Sequence, residues 1–272
     1  MSKNLDSLGL KSIQDQYDLF FIDLWGVIHN GIDLYKGSVD VLQKLTDKKK
    51  EIVLLTNAPR PNNNVIDFLK RMGLDQKFSS KVYTSGEAAL EYLNTKYRNK
   101  SFFHIGPSRD SGLYNNFKNN KILDIKKAEY LLCTGLFDEH DKELLYYKSL
   151  LQQVVGKIMI CTNPDLIVDR GKKREFCAGS VAKVYEEIGG KVEYFGKPYP
   201  KVYNQSTNIN NKKVLCIGDN LNTDIRGANK QNFDSLLILD GIHKQEIKNE
   251  SFENIKKKYN VETNYIQTKL QW

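Results

Sequence analysis

Long apolar runs are missing from this chain: no window approaches a membrane span, and the opening Met1-Ser2-Lys3-Asn4-Leu5 leads into no stretch of signal-peptide length. The expectation is a cytoplasmic protein with no membrane partner. Close cysteine pairs are missing too. The four cysteines, Cys133, Cys161, Cys177 and Cys216, lie far apart, which excludes the short-spaced thiol sets of structural zinc and dithiol redox motifs. Three sit in apolar, strand-like runs and read as buried thiols. Cys177 stands in the small-residue turn Phe176-Cys177-Ala178-Gly179-Ser180, where a packed residue is preferred over a pocket wall. Internal repeats, low-complexity tracts and Pro/Gly-rich linkers are absent as well.

Positive charge is not lacking, but it is not concentrated. The formal charge of +8 is spread along the chain and mixed with Asp and Glu. The runs Lys48-Lys49-Lys50, Lys172-Lys173-Arg174 and Lys256-Lys257-Lys258 are short and carry none of the aromatic interleaving of a nucleic-acid surface. They read as solvated faces, with a modest bias toward small anionic molecules rather than nucleic acid.

What is present is a core. With 40% hydrophobic and 11% aromatic residues in 272, the chain can bury one or two domains. Short β-rich runs alternate with helical patterns, which predicts an α/β fold on a parallel sheet. Core strands are expected at 19–24, 52–56, 82–84, 192–195, 214–217 and 235–239, with helices at 38–48, 64–72, 87–96, 201–208 and 224–230. Between the third and fourth of those strands lie roughly a hundred residues with their own strands near 101–105, 130–133 and 157–161, enough for an inserted small domain. The division is then 1–86 and 190–272 for the core and 87–189 for the insertion.

Four polar groups close these apolar strands. Asp23 ends Phe20-Phe21-Ile22-Asp23 just before Gly26, so its carboxylate should project from the carboxyl edge of the sheet, where open α/β folds place ligands. A turn or helix-capping Asp fits the same pattern. Thr56 and Asn57 end the second strand and can donate to a phosphoryl oxygen without adding charge, or simply cap the turn before Pro59. Gly196-Lys197-Pro198 would bring an ammonium to the same edge, unless it is an ordinary surface loop. Gly218-Asp219-Asn220-Leu221-Asn222-Thr223-Asp224 is the strongest motif. Its two carboxylates are spaced to share one hard cation, and magnesium favours such oxygen ligands.

In that order, Asp, Thr-Asn, Lys and Gly-Asp…Asp, the motifs resemble the haloacid dehalogenase (HAD) superfamily. The insertion between the second and third motifs is similar to class IIA, the subfamily of nitrophenyl, pyridoxal and N-acetylglucosamine phosphate phosphatases. The resemblance implies a Rossmann-like parallel-sheet core with a large inserted α/β cap that selects the substrate. It implies a cytoplasmic, magnesium-dependent phosphatase of small phosphorylated metabolites, with sugar phosphates among the candidates. Asp23 would form an aspartyl-phosphate; Thr56, Asn57, Lys197 and Asn220 would hold the phosphoryl group. Mg²⁺ would be held by Asp23, the main-chain carbonyl of Trp25 and Asp219, with Asp224 either a further ligand or a hydrogen-bonding partner behind the ligands.

One position departs from the pattern. Phosphatases of this family place a second Asp two residues after the nucleophile, to protonate the leaving oxygen and then activate water; here that residue is Trp25. An indole N–H exchanges no proton near neutral pH, so acid/base catalysis is expected to be altered or weakened, a loss of about 10²–10⁴ in rate where nothing replaces it. His29, then Asp33, are the nearest titratable substitutes. Other readings are a substrate whose leaving group needs no proton, or a non-catalytic phosphometabolite-binding or regulatory protein. Facing the site from the cap, Asn163-Pro164-Asp165, Phe176-Cys177-Ala178-Gly179-Ser180 and, more weakly, Arg109 are candidates. Caps of this kind often mediate dimers, and Tyr146-Tyr147 lies on a helix that could pack within the chain or pair a homodimer.

Overall fold

Continuous apolar runs make strands that are buried on both faces, and the central strand of this protein is one of them. The computed structural model describes residues 2–171 and 173–272; Met1 and Lys172, the latter inside one basic run, lie outside them. In chain order its strands are β1 (Lys3–Asn4), β2 (Leu19–Ile22), β3 (Glu51–Thr56), β4 (Val82–Thr84), β5 (Phe102–Ile105), β6 (Tyr130–Cys133) and β7 (Ile158–Cys161). They continue with β8 (Ile167–Arg170), β9 (Lys173–Phe176), β10 (Lys191–Tyr194), β11 (Val214–Gly218), β12 (Asp234–Ile238) and β13 (Tyr265–Gln267).

The larger sheet is parallel throughout, in the order β1-β13-β12-β11-β2-β3-β4. Alternation along β2 sends Phe20 and Ile22 to one face, among Val41, Leu42, Leu45 and Leu54, and Leu19 and Phe21 to the other, among Val53, Leu55 and Tyr203. Helices Lys36–Asp47 and Asn62–Arg71 cover the first face, Ser85–Lys96 and Pro200–Ser206 the second. From β2 the chain steps outward to β3 and β4, and later returns on the other side through β11 and β12. This reversal opens a crevice at the carboxyl ends of β2, β3 and β11, where ligands bind in open α/β sheets.

The inserted region builds a second parallel sheet, β10-β7-β6-β5, and the antiparallel hairpin β8–β9. One face of this sheet packs Leu131, Cys133, Met159 and Cys161 against Tyr147, Val181 and Tyr185. Phe102, Tyr130, Leu132 and Ile160 point the other way and join the same apolar cluster as Leu19 and Phe21, through Ala88, Ala89 and Leu93 of the intervening helix. The two sheets are thus seated on each other by shared core. Among the described residues no helix is long and apolar enough to cross a membrane.

Several expectations need correction. The strand expected at 192–195 in the core sheet is β10, an edge strand of the second sheet paired to β7. Its alternation Lys191-Val192-Glu193-Tyr194 is that of a half-exposed edge, and only Phe195, just past it, enters the joining cluster. The helix expected from 224 begins instead as a π-helical turn, Leu221–Ile225, before Arg226–Gln231. Of the two roles open to the Tyr146-Tyr147 helix, Tyr147 takes packing: it is buried, its hydroxyl accepting from the Phe137 N–H at 2.6 Å. The hairpin β8–β9, the edge strand β1 and its neighbour β13 were not anticipated; they are too short or too charged to show an apolar period.

Candidate active site

Asp23 is one residue past β2 and stays in the ladder, its N–H donating to Ile217 O at 2.9 Å. The chain then turns away through Gly26 at φ +81°, where a Cβ would stand 2.1 Å from Asp219 Oδ2. Glycine at this position is what lets the two carboxylates approach. At the end of β11, Gly218 does the same for Asp224, whose Cγ would lie 2.0 Å from an added Cβ. Carboxylate oxygens of Asp23, Asp219 and Asp224 all fall within 4.8 Å of one another, and all three residues are buried.

A single ammonium sits among them. Lys197 Nζ donates to Asp23 Oδ1 at 2.5 Å, Asp224 Oδ1 at 2.7 Å and Leu55 O at 2.9 Å, with its side chain only 5% exposed. Asn57 locks the lysine loop from beneath: its Oδ1 accepts from Lys197 N–H at 2.7 Å and its Nδ2 donates to Lys197 O at 3.0 Å. Thr56 is buried at the end of β3, and its Oγ1 accepts from Ala58 N–H at 3.3 Å, leaving its own hydrogen to donate. Asn220 spends its Oδ1 capping Asn222 N–H, and its backbone N–H donates to Asp224 Oδ2 at 3.1 Å. Asp219 Oδ2 accepts from Ile242 N–H at 2.8 Å.

Three carboxylates share one cation, and the electrostatics show the imbalance. Burial pushes Asp23 up to about 7, with Lys197 opposing and Asp224 adding. Asp219 is raised well above the ordinary range, again by burial first and then by Asp23 and Asp224. Burial alone would lower Lys197, but Asp224 and Asp23 outweigh it and hold the ammonium protonated. Uncompensated buried negative charge on hard oxygen donors is the setting that fits a divalent cation.

These residues line a cleft of about 840 Å³ between the two sheets, and every predicted site residue borders it: Asp23, Trp25, Thr56, Asn57, Lys197, Asp219, Asn220 and Asp224. From the inserted side, Asn163, Asp165, Phe176, Cys177 and Arg109 border it too, whereas Ala178, Gly179 and Ser180 do not. Arg109 is tied to Asp138 at 2.5 Å. Cys177 is a buried thiol, raised by burial, and has no reactive character.

Trp25 is committed elsewhere. Its Nε1–H donates to Asp169 O in β8 at 2.6 Å, and the Arg170 guanidinium lies over its ring at 5.1 Å. Its two titratable neighbours are placed differently, and of them only His29 borders the cleft. His29 is buried, burial pushes it down to about 4, and its Nδ1 already accepts from Gly31 N–H at 2.9 Å. Asp33 is exposed and does not border the cleft. The residue that sequence reasoning placed only within a segment is Asp165. Burial pushes it up to about 6, Lys197 opposing and Asp224 adding, and its Oδ1 accepts from Asn57 Nδ2 at 3.2 Å.

Known proteins resemble this chain in sequence and in fold. A family profile described as haloacid dehalogenase-like hydrolase matches residues 20–118, and another described as HAD-hydrolase-like matches residues 194–263. The chain is 25% identical over 279 residues to the 4-nitrophenylphosphatase of Schizosaccharomyces pombe, covering 90% of this chain and 92% of that protein. The crystal structure of a haloacid dehalogenase-like hydrolase from Brucella suis superposes with a TM-score of 0.79 at 31% identity, over 86% of this chain and 90% of that one. The glycerol phosphate phosphatase of Mycobacterium tuberculosis, in complex with magnesium, superposes with a TM-score of 0.64 at 22% identity, over 85% and 70%. At that identity the likeness is one of fold.

Proposed function

The chain belongs to the haloacid dehalogenase-like hydrolases and is a phosphoric monoester hydrolase, and from that premise we propose that Asp23 is the nucleophile of a reaction through an aspartyl-phosphate. A carboxylate oxygen of Asp23 attacks phosphorus as the bond to the leaving oxygen breaks. Water then attacks phosphorus, releasing inorganic phosphate and restoring the carboxylate. The Thr56 hydroxyl, the Asn57 main-chain N–H and Lys197 hold the phosphoryl oxygens, the Asn57 side chain being spent on the lysine loop and Asp165, and Lys197 offsets the charge that builds on them. Asn220 orders the β11 loop and completes the polar floor.

The proposed cofactor is Mg²⁺, held by Asp23, Asp219 and Asp224 with the main-chain carbonyl of Trp25. When bound it supplies charge neutralisation for the phosphoryl group and keeps Asp23 ionised. The substrate is a small phosphorylated metabolite, a sugar phosphate being one class that fits a cleft of about 840 Å³. The inserted region, residues 87–189 together with β10, acts as the cap, covering the floor so that bulk water is kept out while Asp23 attacks phosphorus.

The observation that carries the reading is Lys197 bridging Asp23 and Asp224 at 2.5 and 2.7 Å beside Asp219. The experiment is a panel of phosphorylated metabolites assayed with and without Mg²⁺, beside Asp23→Asn. Expected is metal-dependent phosphate release and a trapped phosphoenzyme, both lost in Asp23→Asn; full activity in that variant would remove the nucleophile from the scheme.

A further inference from the structure

The reaction needs a proton at the leaving oxygen, and the position that should hold the donor is an indole bonded to the cap hairpin. Carboxylates bordering the cleft are the remaining source, and most are neutralised. Asp110, Asp138, Asp141, Asp169, Glu175 and Asp240 each pair with an Arg or Lys, while Asp23 and Asp224 share Lys197. Asp219 has no cationic partner either, but it takes the Ile242 N–H at 2.8 Å and stands beside Asp23 and Asp224 as a proposed metal ligand; Asp165 differs from all of these. Among the described residues its Oδ1 meets neutral amides, Asn57 Nδ2 at 3.2 Å and Asn220 Nδ2 at 3.5 Å, and no ammonium or guanidinium lies within ion-pair distance.

Its place is well defined. The loop Thr162–Asp165 follows β7 directly; Ser85 Oγ holds Thr162 O at 2.6 Å, and Gly179 N–H holds Asp165 O at 3.2 Å. A Cβ at Gly179 would lie 2.5 Å from that same carbonyl, so the helix starting at Ala178 seats the loop closely. Asn57 then ties the carboxylate to the phosphate-holding floor, because the same Nδ2 donates to Lys197 O.

We infer that Asp165 is the general acid and base of this enzyme, supplied from the cap instead of from the loop after the nucleophile. As the bond from phosphorus to the leaving oxygen breaks, the Asp165 carboxylic acid gives its proton to that oxygen and an alcohol departs. The carboxylate so formed takes a proton from the water that attacks phosphorus, the bond to Asp23 breaks, and inorganic phosphate leaves with Asp165 protonated again. The inference rests on the aspartyl-phosphate reading of Asp23.

The test compares wild type, Asp165→Asn and Asp165→Glu in the first turnover of 4-nitrophenyl phosphate, whose leaving group needs little protonation, and phenyl phosphate, whose leaving group needs it. Expected for Asp165→Asn is a loss with phenyl phosphate about 10²-fold greater than with 4-nitrophenyl phosphate, a stall after one equivalent of nitrophenolate, and partial recovery in Asp165→Glu. Asparagine preserves an acceptor for Asn57, so a merely positioning role predicts equal losses on both esters. Equal losses, or none on either, overturn the inference. Asp23→Asn runs alongside: a first equivalent released by that variant defeats the nucleophile reading instead.

Discussion

The floor of the cleft and its roof are built on opposite plans. The floor is built from polar groups that end buried strands, Asp23 after β2, Thr56 closing β3 and Asp219 after β11, and Lys197 ties Asp23 to Asp224 and to Leu55 O of β3. The roof is the hairpin β8–β9 and the loop before it, carried by charged pairs such as Arg174–Asp169 at 2.7 Å and by single bonds to the floor. Buried strands hold a geometry through many contacts, whereas an exposed ion pair is worth about 0–1 kcal/mol. The floor is therefore suited to fixed chemistry and the roof to opening and closing.

The sharpest way to break that comparison is at the nucleophile. Asp23→Asn should abolish the phosphoenzyme and lower turnover by roughly 10⁴-fold or more, while circular dichroism stays native, because the amide is isosteric. Lys197→Met comes next. It removes the one cation shared by buried Asp23 and Asp224, so it should cost about 3–5 kcal/mol of stability in urea unfolding as well as at least 10²-fold in rate. A Lys197→Met protein as stable as wild type would mean that the floor is not held electrostatically.

The same contrast explains what could be read beforehand. β2, β3 and β11 were visible because strands covered on both faces show uninterrupted apolar runs, and the polar residue ending each run marks the sheet edge. The hairpin was not, because Asp169-Arg170 and Lys173-Arg174-Glu175 carry no apolar alternation; their pairing is set by register and charge, which only the folded chain brings together. β10 misled in a different way, since an edge strand of one sheet leads straight into the lysine loop of the other. Asp165 could be named as facing the site, but its lack of a cationic partner depends on Asn57, 108 residues away, and on where every neighbouring Arg and Lys finds its own carboxylate.

Acid should separate the two regions further. His104, in β5 of the inserted sheet, is buried beside Thr134 and Tyr114, and burial pushes it down to about 3. A depressed folded value means that its stabilising neutral form is fully present above the unfolded value near 6.5 and is lost as pH falls toward 3. Stability should therefore drop by roughly 2–3 kcal/mol between pH 6.5 and about 4.5 from this residue alone, since each pH unit in that window is worth 1.36 kcal/mol. His104→Gln should flatten that limb in pH-dependent unfolding; an unchanged limb would place the acid sensitivity elsewhere.

The smallest effect tests the roof itself. Trp25→Phe keeps an aromatic ring beneath Arg170 but removes the N–H donated to Asp169 O. Asp169 borders the cleft and is only half-buried, so water can replace the indole, and the net loss is one hydrogen bond of about 0.5–1.5 kcal/mol, a factor of about 2–10 in the closed population. Two other bonds still join hairpin and floor, Gly171 N–H to Asn30 O and Arg174 Nη2 to Ile242 O, both at 3.3 Å, and they limit the damage. KM should rise by that factor with kcat little changed, and trypsin should cut at Lys173 or Arg174 correspondingly faster. If kcat fell and KM and proteolysis did not move, Trp25 would belong to the chemistry of the floor rather than to the closure of the roof.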